Sequence, residues 1–133
     1  MEQNTESKVL IIDDDPFVLD IYSRKFKERG IAVETMRDSE ATMERIRAYA
    51  PTIILLDLVM PAQDGLTLLK KLKEDSGTRE YAVLLVTNTY EEEKIERGMK
   101  LGAEGYLIKA VHTPSEVVEK TKEILDRVAG KTP

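Results

Sequence analysis

Acidic residues directly follow two apolar runs of this 133-residue chain. Asp13 and Asp14 come after the run at 9–12, and Asp57 comes after the run at 52–56. Short runs rich in isoleucine and leucine, without polar alternation, are typical of strands that are buried on both faces. A carboxylate at the end of such a strand is costly unless a cation or a hydrogen-bond donor accompanies it. We therefore expect these three aspartates to share a cation.

Two more apolar runs end in a polar residue. Thr87 follows the run at 81–86, and Lys109 follows the run at 105–108. If all four runs are parallel strands, these polar residues lie at one edge of a sheet, where open α/β sheets bind ligands. Mg²⁺ binds carboxylate and phosphate oxygens, and a hydroxyl and an ammonium beside it would receive an anion. A carboxylate nucleophile, a metal ion, a lysine and a hydroxyl are the groups that aspartyl-phosphate chemistry requires.

Helical patterns separate these runs, and their boundaries are marked by capping residues. Asp15 is the predicted N-cap of the first helix, with Pro16 at its first position. Asp38 or Ser39 is the predicted cap of the second helix, which runs to about residue 50. Further along the chain, two S/T-x-x-E-type patterns predict capping boxes. They are Thr89 with Glu92 for a helix at 90–101, and Thr113 with Glu116 for the last helix.

Five strands alternating with five helices predict a parallel sheet that is covered on both faces. The segment at 31–36 is the weakest strand and is expected at a sheet edge. The two most apolar strands should lie side by side, with the topological switch between them. The predicted fold is a doubly wound, flavodoxin-like α/β sheet of order 2-1-3-4-5. A single domain is expected over residues 1–133, with its core at about 7–128.

Composition excludes several classes of function. The formal net charge is -5, from 20 basic and 25 acidic residues, which argues against direct nucleic-acid binding. No apolar run approaches the ~20 residues that a membrane span needs, so no membrane insertion is expected. The chain has no cysteine, which removes disulfides and favours a cytoplasmic location. A single histidine, His112, argues against histidine-based triads and metal sites.

With these residues in place, the chain resembles the receiver domain of two-component response regulators over nearly its whole length, in particular the stand-alone chemotaxis-regulator type. The resemblance comes from four stretches that are weak singly and specific together. The matching stretches are LIIDDDP (10–16), LLDLVMP (55–61) with DG (64–65), LVT (85–87) and GAEGYLIK (102–109).

The resemblance implies a role for each residue at the predicted sheet edge. Asp57 would accept a phosphoryl group and, together with Asp14 and the backbone carbonyl of Val59, would bind Mg²⁺, with Mn²⁺ as a substitute. Asp13 would act on the ion through a water molecule. The domain would be a signalling phosphoacceptor rather than an enzyme, with self-catalysed phosphotransfer and autodephosphorylation as its only reactions.

The resemblance also implies a switch and its partners. Lys109 would pair with one phosphoryl oxygen, and Thr87 would donate a hydrogen bond to another. Tyr106 would turn inward as Thr87 moves, which would alter the face formed by the fourth helix, fifth strand and fifth helix. That face would bind a protein target or a second copy of the chain. The phosphoryl donor would be a phosphohistidine of a sensor histidine kinase or a phosphotransfer protein.

Four residues are predicted to modify the site. Ala110 stands where receivers carry a proline joined to the lysine by a cis peptide, so the peptide isomer and the pose of Lys109 are open. Asn88 is larger than the usual small residue and would crowd or hydrogen-bond the phosphoryl group. Val59 and Thr89 flank the route to Asp57. Because an apolar Val59 cannot orient an attacking water, a long-lived phosphate is expected.

Four alternatives remain. A flavin-binding protein of this fold is disfavoured because three aspartates would repel its phosphate. A phosphatase of the haloacid-dehalogenase type would use Asp13 and Asp15, but Pro16 and the lack of a cap domain disfavour it. The chain could instead be an interaction module that never uses its phosphate, for which Ala110 is the warning sign. Finally, it could be the receiver fragment of a longer transcriptional regulator.

Overall fold

Strands and helices alternate along the whole described part of the chain, as the sequence predicts. The computed structural model describes residues 7–130. Its elements are β1 (Lys8–Ile12), α1 (Pro16–Glu28), β2 (Ala32–Met36), α2 (Met43–Tyr49), β3 (Ile53–Leu56), α3 (Gly65–Glu74), β4 (Ala82–Thr87), α4 (Glu92–Lys100), β5 (Gly105–Ile108) and α5 (Pro114–Gly130). None of these helices is long and apolar enough to cross a membrane.

The five strands form one parallel sheet in the order β2-β1-β3-β4-β5. This order confirms the predicted doubly wound topology. β1 and β3 are neighbours, and Ile12 is in register with Leu56. The residues that follow them, Asp13 and Asp57, therefore leave the sheet side by side. β2 lies at the edge and is only partly buried, in agreement with its mixed composition.

Two apolar clusters cover the two faces of the sheet. Alternate residues of the central strands point to opposite faces, so each strand contributes to both clusters. On one face α1 and α5 pack through residues such as Phe26 and Ile124. On the other face α2, α3 and α4 pack through residues such as Ile46 and Leu69. Each fully buried large aliphatic or aromatic side chain contributes ~1.5–3 kcal/mol, so the sheet is a firm base for the residues at its edge.

Two of the predicted caps are confirmed. Asp15 is the N-cap of α1, and its carboxylate accepts the N–H of Phe17 at 2.9 Å. Thr113 and Glu116 form the predicted capping box before α5. The Glu116 carboxylate accepts the Thr113 N–H at 2.7 Å, and the Thr113 hydroxyl accepts the Glu116 N–H at 3.1 Å.

The predicted cap of α2 is wrong. Neither Asp38 nor Ser39 caps this helix; its N-cap is Thr42, whose hydroxyl accepts the Arg45 N–H at 3.2 Å. The Asp38 carboxylate instead accepts the N–H of Ala62, which lies after β3. A partner so distant in sequence is a tertiary contact that local capping patterns do not register.

The predicted capping box of α4 is also wrong. The Thr89 hydroxyl accepts the N–H of Glu91 at 3.2 Å, a local turn that competes with helix formation. α4 therefore begins at Glu92 rather than at residue 90, and its N-cap Glu91 makes no side-chain capping hydrogen bond.

Gly65 is required where the start of α3 approaches the backbone of the segment that follows β3. A Cβ atom at this position would lie 2.2 Å from the Asp57 carbonyl oxygen and 2.6 Å from the Leu58 Cα. The Gly65 N–H also donates to the Leu58 carbonyl at 3.1 Å. Glycine thus lets the first turn of α3 contact the segment that carries Asp57.

We predict that Gly65→Ala lowers the free energy of unfolding by ~1–3 kcal/mol, because backbone atoms must move to admit the methyl group. Gly105→Ala in β5 is the matched control, since its nearest neighbour would be the Lys120 Cε at 3.5 Å, an ordinary contact. Urea denaturation of both variants measures the difference. Equal stability of the two variants would show that the contact at Gly65 relaxes freely.

Candidate functional site

The residues at the carboxyl edge of the sheet are held by hydrogen bonds that extend the strand ladders. Asp13, Asp57 and Lys109 each lie one position beyond a strand, and each donates its backbone N–H to a neighbouring strand. The acceptors are the Met36, Ile12 and Thr87 carbonyls, at 3.3, 3.2 and 2.8 Å respectively. The sheet therefore fixes the backbone of these three residues.

The Lys109 ammonium contacts two carboxylates at once. Its Nζ lies 2.7 Å from Asp13 Oδ2 and 3.0 Å from Asp57 Oδ2. The exposed fractions of the three side chains are only 11% for Lys109, 3% for Asp13 and 6% for Asp57. Ion pairs this sheltered from solvent are screened much less than surface pairs, so the contact fixes the position of all three groups.

Backbone amides hold the other carboxylate oxygens. Asp57 Oδ1 accepts the N–H of Val59 at 3.2 Å. Asp13 Oδ1 accepts the N–H of Asp15 at 3.0 Å. Each carboxylate therefore has one oxygen that accepts a hydrogen bond from a backbone amide and another that pairs with the Lys109 ammonium. These contacts restrict the rotation of both carboxylates.

A divalent cation fits this arrangement. Asp13, Asp14 and Asp57 each offer a carboxylate oxygen, and the three oxygens lie within 4.8 Å of one another. Asp14 is half-buried, whereas the other two aspartates are buried. Three converging carboxylates with a single adjacent ammonium leave excess negative charge, and oxygen donors of this kind are those that Mg²⁺ prefers. The Val59 carbonyl, which is also a predicted ligand, belongs to the loop that begins with Asp57.

Burial shifts the pKa of the central charged groups. Burial raises the pKa of the Asp13 carboxyl, and the hydrogen bond from Lys109 only partly opposes this. Burial alone would lower the pKa of the Lys109 ammonium, but the hydrogen bond with Asp13 and the charge of Asp57 outweigh it, so this pKa is raised. Lys109 therefore stays charged at neutral pH, while Asp13 carries its charge at a cost in free energy.

An open cavity of about 490 Å³ lies over Asp57. Most of the predicted site residues line it. The lining residues are Asp14, Asp15, Asp57, Val59, Thr87, Asn88, Thr89, Glu91, Lys94 and Lys109. Glu91 and Lys94 are not among the site residues predicted from the sequence. Their position shortly after Thr87, at the start of α4 near the carboxyl edge, was the available signal. They form an ion pair of 3.5 Å.

Thr87 and Tyr106 occupy opposite environments. Thr87 is completely buried, and its hydroxyl accepts the Thr89 N–H at 3.3 Å. Tyr106 is 47% exposed and points away from the core. The structure therefore shows the outward position of Tyr106, and the predicted inward turn stays a prediction about another state.

The residues after Lys109 form a turn without a cis peptide. The described residues 7–130 contain no cis peptide bond, so the Lys109–Ala110 bond is trans. The N–H groups of Val111 and His112 both donate to the Ile108 carbonyl at 3.0 Å. The sequence left the isomer of this bond and the pose of Lys109 open. In this structure the bond is trans, and the Lys109 ammonium contacts both carboxylates.

The order of the strands and the polar residues at the carboxyl edge define a receiver-type α/β domain. The profile of the response regulator receiver domain family matches residues 9–122. The chain therefore belongs to the response regulator receiver domain family, whose members are signalling phosphoacceptors.

Curated relatives are of two kinds. The chain is 28% identical to the chemotaxis protein CheY of Halobacterium salinarum over 119 residues, which are 89% of this chain and 96% of that protein. It is 27% identical to the phosphate regulon transcriptional regulatory protein PhoB of Escherichia coli over 122 residues, which are 92% of this chain but 53% of that protein. The chain thus spans about half the length of relatives of the second kind.

Solved structures show the same fold. A CheY-like receiver domain protein from Methanospirillum hungatei superposes with a TM-score of 0.85 at 26% identity, and 96% of this chain and 99% of that chain are covered. A two-component response regulator from Clostridium difficile superposes with a TM-score of 0.82 at 27% identity, covering 92% and 98% of the two chains.

We predict that Mg²⁺ stabilises the protein, because a cation would relieve the repulsion among the three carboxylates. A ligand that binds only the folded state stabilises it by ~2.7 kcal/mol when the free ligand concentration is one hundred times the dissociation constant. Thermal unfolding in Mg²⁺ and in EDTA measures the effect. Asp14→Asn should remove most of it, whereas Asp75→Asn, at the opposite edge of the sheet, should keep it. An unfolding temperature that does not respond to Mg²⁺ contradicts the predicted metal site.

Proposed function

We propose that this chain takes a phosphoryl group from a phosphohistidine onto Asp57 and so switches a protein-binding surface. One observation supports this most: the Asp57 carboxylate lies at the base of an open cavity, beside the Lys109 ammonium and within cation-sharing distance of Asp13 and Asp14. With Asp57 as the nucleophile, these neighbouring charges would be those that an incoming phosphoryl group requires.

The reaction would exchange one bond to phosphorus for another. The phosphorus–nitrogen bond of the donor imidazole breaks, a bond from an Asp57 oxygen to phosphorus forms, and the imidazole leaves. Asp14, Asp57 and the Val59 carbonyl would hold Mg²⁺, with Asp13 acting through water. The ion would offset the repulsion between the carboxylate and the phosphoryl oxygens. Lys109 would pair with one of those oxygens, and the hydroxyl of Thr87, a buried residue that borders the same cavity, would hydrogen-bond another.

A protein is the proposed source of the phosphoryl group. Four exposed apolar side chains lie in the segments that follow β1, β3, β4 and β5 at the carboxyl edge of the sheet. They are Phe17, Val59, Tyr90 and Val111. Aromatic side chains such as Phe17 and Tyr90 are enriched in protein interfaces relative to the rest of the surface. A sensor histidine kinase or a phosphotransfer protein would present its phosphohistidine at this surface, which implies a cytoplasmic location.

The proposed output surface consists of α4, β5 and α5. Tyr106 and Met99 are exposed on it, and a protein target or a second copy of the chain would bind there. Relatives such as the regulator PhoB are about twice as long as this chain. The proposal therefore concerns the receiver step, whether the domain acts by itself or within a longer regulator.

The decisive experiment is stoichiometric labelling of the full chain by acetyl phosphate with Mg²⁺, followed by intact-mass measurement. We expect the wild type to gain one phosphoryl group and Asp57→Asn to gain none. Asp64→Asn is the matched control, because Asp64 caps α3 outside the cavity and asparagine caps equally well. A wild-type chain that stays unlabelled contradicts the switch and favours an interaction module that does not use phosphate.

The lifetime of the phosphate provides a second test. Val59 is exposed, lines the cavity over Asp57 and carries no polar atom that orients water. We predict that Val59→Asn shortens the phosphate lifetime, by several-fold if one positioned hydrogen bond to the attacking water is gained. Loss of label after removal of acetyl phosphate measures it, with Val111→Asn as a control outside the lining. A longer lifetime in Val59→Asn contradicts the prediction.

A further inference from the structure

The loop between β2 and α2, residues 37–42, is a polar segment at the carboxyl edge that the proposed phosphotransfer does not use. Asp38 in this loop is only 4% exposed. Its carboxylate accepts the N–H of Ala62 at 2.6 Å and the N–H of Ser39 at 3.0 Å. A charge buried this deeply is costly unless it is hydrogen-bonded, and the short bond to Ala62 is of the charge-assisted kind.

A second connection joins the same two loops. The side-chain amide of Gln63 donates to the carbonyls of Asp38 and Ala41, both at 2.9 Å. Ala62 and Gln63 belong to the segment that runs from Asp57 to α3. That segment is therefore fixed at its start by the strand ladder and at its far end by the loop after β2. Val59, whose carbonyl is a proposed ligand, lies between these two points.

Arg37 contacts the other side of the site. Its guanidinium donates from Nη2 to the backbone carbonyl of Asp14 at 3.1 Å. Its own backbone N–H donates to the Glu40 carboxylate at 2.8 Å, which fixes the loop locally. The neighbouring residues Arg37 and Asp38 thus hold two different loops, one with Asp14 and the other with Val59.

We infer that Arg37 and Asp38 are positioning residues for a hard divalent cation, because together they set the distance between the two loops that would bind it. This inference rests on the proposed function, since it concerns the same metal site. Mg²⁺ demands near-octahedral geometry at short distances, so a shift of either loop weakens binding. Asp38 has the larger effect, because it is buried whereas Arg37 is exposed.

The test is Mg²⁺ affinity of the full chain, measured by isothermal titration calorimetry. Loss of residues that orient metal ligands typically weakens metal binding ~10–100-fold, and we expect at least ~10-fold for Asp38→Ala. Asp38→Asn keeps an oxygen for the Ala62 N–H and should restore most of the affinity. Asp75→Ala is the matched control: Asp75 also accepts a loop N–H, from Gly77 at 2.7 Å, but lies at the opposite edge of the sheet.

Hydrogen exchange of the metal-free protein separates positioning from general stability. The Ala62 amide should be protected in the wild type and in Asp38→Asn, and should exchange faster in Asp38→Ala while amides of β1 and β3 keep their protection. If Asp38→Ala does not fold, Gln63→Ala and Arg37→Ala replace it, and each should weaken Mg²⁺ binding several-fold.

Each outcome decides between the two proposals. If the wild type binds Mg²⁺ and is labelled at Asp57, but a folded Asp38→Ala binds Mg²⁺ equally well, the positioning role is wrong and the proposed function stands. Unchanged affinity in both Gln63→Ala and Arg37→Ala overturns the positioning role in the same way. If the wild type itself does not bind Mg²⁺, the proposed function fails first.

Discussion

The Lys109 ammonium, on a side chain that is only 11% exposed, lies between two buried carboxylates and connects three of the five strands. Lys109 follows β5, yet its Nζ contacts Asp57 after β3 and Asp13 after β1. The lysine side chain therefore spans the end of β4, which lies between β3 and β5. Removing one member of a buried ion pair generally costs ~3–5 kcal/mol, because the partner charge is left uncompensated. The site chemistry thus depends on a contact between residues that the strand order brings together.

The same contact leaves the site short of positive charge. Asp13, Asp14 and Asp57 face a single ammonium, which gives two excess formal negative charges. A divalent cation would balance them, and a phosphoryl group on Asp57 would upset the balance again. Burial raises the pKa of Asp13, and the neighbouring charge of Asp57 adds to this in a smaller way. A site that is unfavourable until it binds its ligands is typical of functional positions, where stability is exchanged for reactivity.

The sequence predicted the elements and the edge residues because both follow from local patterns. Apolar runs, the cap Asp15 and the Thr113–Glu116 box depend on neighbours within a few positions. The role of Asp38 did not follow, because its partner Ala62 lies 24 residues away and nothing local marks the contact. The contact of Gly65 with the Asp57 backbone was missed for the same reason. The trans peptide after Lys109 agrees with the general preference of bonds that precede a residue other than proline.

Under the proposed phosphoryl transfer, the packing of α4 makes this helix the one that is displaced most readily. Gly98 is the buried residue of α4, and a Cβ there would lie 2.6 Å from the Leu85 side chain of β4. The helix thus packs close to the strand that ends in Thr87, but with little buried apolar surface. Its N-cap Glu91 makes no capping bond and pairs with Lys94 beside the cavity. Elements with few buried contacts move at the least cost in free energy, so a displaced Thr87 would shift α4 before any other helix.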